Sequence, residues 1–83
     1  MEREIAAAET AKSSAVAKWH ALLRDDVALL AMPGAHHKTL LVQARTLHLD
    51  QVINADDLSD MLELADAALA FAVESLLDIQ TEN

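Results

Sequence analysis

The chain contains no cysteine, no tyrosine, one proline, one glycine and two aromatic residues among 83. Without cysteine, no disulfide can staple the fold and no thiolate can bind a metal or attack a substrate. A single glycine rules out a glycine-rich phosphate loop. Trp19 and Phe71 alone make no stacking platform for single-stranded nucleic acid. The longest uninterrupted apolar run, Ala67 to Val73, is far too short to span a bilayer. The opening "MEREIAAAET" carries acids and lacks the apolar segment of a secretory signal. The expectation is a cytoplasmic protein with one domain, residues 1–83.

Positive charge is also scarce. The formal net charge is -8, which disfavours direct contact with nucleic acid or anionic membranes. The deficit is uneven. Five acids and six bases share the first 45 residues, and nine acids with no base follow from Thr46 onward.

What remains is rich in Ala and Leu, a composition that favours helix over strand. Pro33 and Gly34 stand together and mark a break between two helices. Before it, residues 3–30 read as one long helix. Ile5, Ala8, Val16, Trp19, Leu23, Val27 and Leu30 fall on one face, and Arg3, Thr10, Ser14, Lys18 and Asp25 on the other. Lys12 lies in the apolar stripe, where its stem can pack while its ammonium reaches water. Residues 35–48 suit a shorter helix with Leu40, Leu41, Ala44 and Leu47 inward.

A third helix is expected over 54–80. Asn54 is a good N-cap, Asp56 and Asp57 suit the first turn, and Ile53 with Leu58 occupies the positions of a hydrophobic staple. Leu58, Leu62, Ala65, Leu69, Ala72, Leu76 and Ile79 form a heptad seam flanked by apolar Met61, Ala68 and Val73, which points to a bundle rather than a two-stranded coil. The expected fold is all-α: an antiparallel unit of long, short and long helices, assembling as a dimeric helical bundle.

No constellation of residues carries chemistry. A calcium loop counted from Asp50 fails at Val52, Ala55 and Met61. His20, His36, His37 and His48 lack the spacing that places two imidazoles on one helix face, and they read as surface histidines at a helix start. Ser13, Ser14, Ser59 and Ser75 fall inside helices, away from any strained elbow. A DNA-binding helix-turn-helix would place the carboxylates of "NADDLSDMLE" against phosphates. No enzymatic activity, catalytic residue, cofactor or metal is expected.

The acids themselves are patterned. At about 100° per residue, Asp56, Asp60, Glu63, Glu74 and Asp78 share one narrow sector opposite the seam, with Asp57 and Asp66 to either side. No Lys or Arg four residues on offsets their repulsion. A solvated face is the plain explanation; the charge asymmetry adds the expectation of an acidic surface that docks a basic protein. Leu64, Phe71 and Leu77 lie outside the seam and would add apolar contact, to a partner or to a second copy. The expected function is protein interaction as a regulator or adaptor. The alternatives are an inhibitor or antitoxin-like protein masking a basic nucleic-acid-binding surface, and a purely structural oligomerising subunit.

Overall fold

The computed structural model describes the backbone of residues 2–81 and the side chains of residues 10–78. Within them the chain is all-helical, with four helices and no strand: α1 (Glu2–Leu23), α2 (Asp26–Ala31), α3 (Pro33–Leu49) and α4 (Ala55–Thr81). The body is elongated, 61 × 19 × 16 Å. Of the expected inward positions, the side chains of Ile5, Ala8 and Ile79 lie outside the described residues, as does that of Arg3 on the polar face.

The expected first helix is in fact two. It runs unbroken through Ser13 and Ser14 and stops at Leu23. Asp25 then starts α2, with its Oδ1 accepting from the Ala28 N–H at 3.1 Å. A short acidic side chain just before a helix satisfies one of its orphan donors, and that favours a new start over continuation. The new start changes the inward face: Leu29 is buried, while Val27, expected in the core, is 82% exposed. The Pro33 break is real but tight. Met32 alone separates α2 from α3, and Pro33 and Gly34 lie in the first turn of α3, where a missing N–H costs nothing.

Trp19, 1% exposed, is the centre of the core, together with Leu40, Ala44, Ile53, Met61 and Ala65. Its indole N–H donates to the Leu40 carbonyl oxygen at 3.0 Å, meeting the need of a buried Trp for an acceptor. Val16, Leu22 and Leu23 of α1, Leu41 and Leu47 of α3, and Leu58 and Leu62 of α4 pack around this cluster. On α4 the seam is turned slightly from its expected line. Ala65 and Ala72 are fully buried, Met61 joins them from the flank, and Leu58, Leu62, Leu69 and Leu76 are only half-buried. The alanines allow close approach at the centre, and the leucines straddle the contact.

The turn between α3 and α4 is closed by the backbone. The Val52 N–H donates to the Leu47 carbonyl oxygen at 2.9 Å and the Gln51 N–H to that of His48 at 3.0 Å. This is a Schellman arrangement, with Gln51 in the left-handed region at φ 62°. Ile53 follows, buried, and α4 starts on a reciprocal cap. Asn54 Oδ1 accepts from the Asp57 N–H at 2.8 Å, and Asp57 Oδ2 accepts from the Asn54 N–H at 3.1 Å.

Candidate protein-interaction face

The seven carboxylates of α4 sort themselves by position. The two outside the stripe find partners on neighbouring helices. Asp57 pairs with Lys12 of α1 at 2.8 Å, and Asp66 lies 2.8 Å from His37 Nε2 on α3. Lys12 therefore leaves the apolar stripe to meet an acid, a cross-helix pairing that spacing within α4 could not reveal. The Lys12 ammonium, with the Asn54 N–H, holds the Asp57 carboxyl below its ordinary value.

Asp56, Asp60, Glu63, Glu74 and Asp78 are all exposed, and none makes an ion pair or side-chain hydrogen bond among the described residues. They run along the outer side of a 27-residue helix, which extends about 40 Å at 1.5 Å per residue. Among the described residues no cation offsets their mutual repulsion, which solvent and salt screen.

Leu64 and Phe71 are 42% and 55% exposed, and Leu77 is also 55% exposed. These three do not form one patch. Leu64 and Phe71 are seven residues apart and share a side of α4. Leu77 lies about 120° around the helix from Phe71, with Glu74 between them. The acidic stripe thus has an apolar border on each side.

The Leu64 border opens into a groove of about 450 Å³ between α1 and α4. Val16 and Ala17 of α1 line it with Met61 and Leu64 of α4, and Asp60 and the Lys12–Asp57 pair line it as well. The α1 residues of this groove were not legible as site residues, because nothing in local spacing says which part of α4 meets α1. Leu64, Asp60, Glu63 and Ala67 line a second depression on the same helix.

The histidines depart from the sequence expectation. His36 is 6% exposed, not a surface residue, and its Nε2 is buried with no hydrogen-bond partner among the described residues. His37 is half-buried beside Asp66, and His20 meets the edge of Trp19 at a ring distance of 5.4 Å. Among the described residues, no three His, Asp or Glu side chains gather where they could hold a metal ion, and no helix is long and apolar enough to cross a membrane.

No protein family, no curated protein and no solved structure matches this chain.

Proposed function

We propose that the protein is a protein-interaction module that acts as a regulator or adaptor, docking a basic partner on the acidic and apolar face of α4. One observation carries this reading: Asp60 and Asp78, without ion-pair partners, border the exposed pair Leu64 and Phe71, beside an open groove. A face of this kind suits an amphipathic helix with Lys or Arg flanking its apolar residues. Apolar side chains would enter the groove over Val16 and Met61, and the cations would meet the acids at the rim. The acids would then set encounter rate and specificity more than affinity.

The test is parallel capture from native extract by the wild type and by an Asp60→Lys/Asp78→Lys variant, with circular dichroism to check folding. Retention of basic proteins by the wild type and their loss from the folded variant is the expected result. Equal capture by both would sink the reading. Adding nucleic acid to the wild-type capture separates the masking alternative: displacement of the partner favours an inhibitor of a nucleic-acid-binding protein, and simultaneous binding removes that alternative.

A further inference from the structure

The outer face of α3 carries a second pattern. Ala35, Lys38, Val42, Arg45 and Leu49 are spaced 3, 4, 3, 4 and are all exposed, Leu49 at 79%. The spacing places them on one side of the helix, opposite buried Leu40. Among the described residues, neither Lys38 nor Arg45 pairs with a carboxylate. One molecule therefore presents a basic and apolar stripe on α3 and an acidic stripe on α4, on adjacent helices, and the two do not meet.

We infer that these stripes meet between two copies of the chain, in a two-fold dimer with α3 of each copy laid along α4 of the other. The argument is charge complementarity combined with matched spacing. Lys38 and Arg45 are seven residues apart, and so are Asp56 and Glu63. Each pair spans about 10 Å of helix. α3 and α4 run antiparallel from the turn at Asp50–Asn54, with His37 level with Asp66, so a two-fold interface sets Lys38 against Glu63 of the partner subunit and Arg45 against Asp56 of the partner subunit, and repeating each contact yields four ion pairs. Val42 and Leu49 supply the apolar surface between the charges. A dimer built on acidic α4 alone would bring like charges together, whereas the α3–α4 pairing avoids this. The inference does not depend on the partner reading, because Asp60 and Leu64 line the groove on the α1 side, and neither they nor Phe71 and Asp78 are used.

The test is light scattering on size-exclusion fractions over a wide concentration range, using the full chain and three charge variants that alter only exposed residues. Lys38→Glu/Arg45→Glu and Asp56→Lys/Glu63→Lys should each raise the dimer dissociation constant by about 30-fold or more. The four-residue variant carrying both reversals should regain the wild-type dimer, since the complementarity is restored with its signs exchanged. A wild type that stays monomeric at every concentration overturns the inference. So does a dimer that either double reversal leaves unchanged, which would place the contact elsewhere, Phe71→Asp then testing the opposite border. Circular dichroism on each variant separates loss of assembly from loss of fold.

Discussion

Three residues sit in environments that single substitutions can probe. Gln51 holds a left-handed conformation at φ 62° that costs an L-residue with a Cβ and costs glycine little. Gln51→Gly should stabilise the protein by about 0.5–1 kcal/mol in urea denaturation, since the side chain is exposed and makes no hydrogen bond or ion pair among the described residues. His36 buries a ring nitrogen without a partner. A leucine of similar volume removes that polar atom, so His36→Leu should stabilise by about 1 kcal/mol or more. A loss of stability instead would show that the nitrogen is engaged in solution. Asp57 is depressed below its ordinary value of 3.8, mainly by the Lys12 ammonium and then by the Asn54 N–H. A group whose folded value is lowered adds stability above its unfolded value and loses it as pH falls through the folded one. Lys12→Met should therefore raise the Asp57 carboxyl toward 3.8 in an NMR titration. It should also flatten the fall in melting temperature below about pH 4.

At the scale of elements, the break at Arg24 and Asp25 decides how the first half of the chain packs. A six-residue helix such as α2 has no stability of its own, and it persists through its cap and through Leu29. Asp25→Ala removes the bond to the Ala28 N–H and should cost about 1 kcal/mol, read from the denaturation midpoint. The signal was present in the sequence, as an Asp pair ahead of a short apolar run ending at Pro33. It was outweighed by helical periodicity that runs from Val16 to Leu30 without a visible gap. α4 was the most legible element, because its start is written in side chains. Asn54, Asp57, Ile53 and Leu58 take up the cap and staple positions that their types predict. The seam was less legible. Leu and Ala at heptad positions define an arc on a helix wheel but not which part of it a neighbour will cover, and Met61 turned out to lie deeper than the leucines.

For the whole molecule, the balance of charge governs association. At -8 two copies repel at long range, while the α3 and α4 stripes attract at contact. The salt dependence of assembly therefore discriminates between interfaces. A dimer held by Lys38, Arg45, Asp56 and Glu63 should weaken between about 0.1 and 1 M salt, where the Debye length falls from about 10 to 3 Å. A dimer held by Leu64 and Phe71 across the acidic border should instead tighten. Sedimentation equilibrium at the two salt concentrations reads the difference.

The helical class, α4 with its cap and the existence of the acidic stripe follow from local sequence, because periodicity and capping act within a few residues of the chain. Three things were decided only when the helices packed. Lys12 and His37 paired with Asp57 and Asp66, leaving the five carboxylates of the stripe without an ion-pair partner among the described residues. The exposed apolar residues were divided between two borders, one of them opening on a groove walled by α1. His36 was buried, and Lys38 and Arg45 were left facing solvent. Each of these depends on which neighbour covers which side of a helix, and that choice is made by contacts between segments 20 or more residues apart, such as Trp19 with Leu40 and His37 with Asp66.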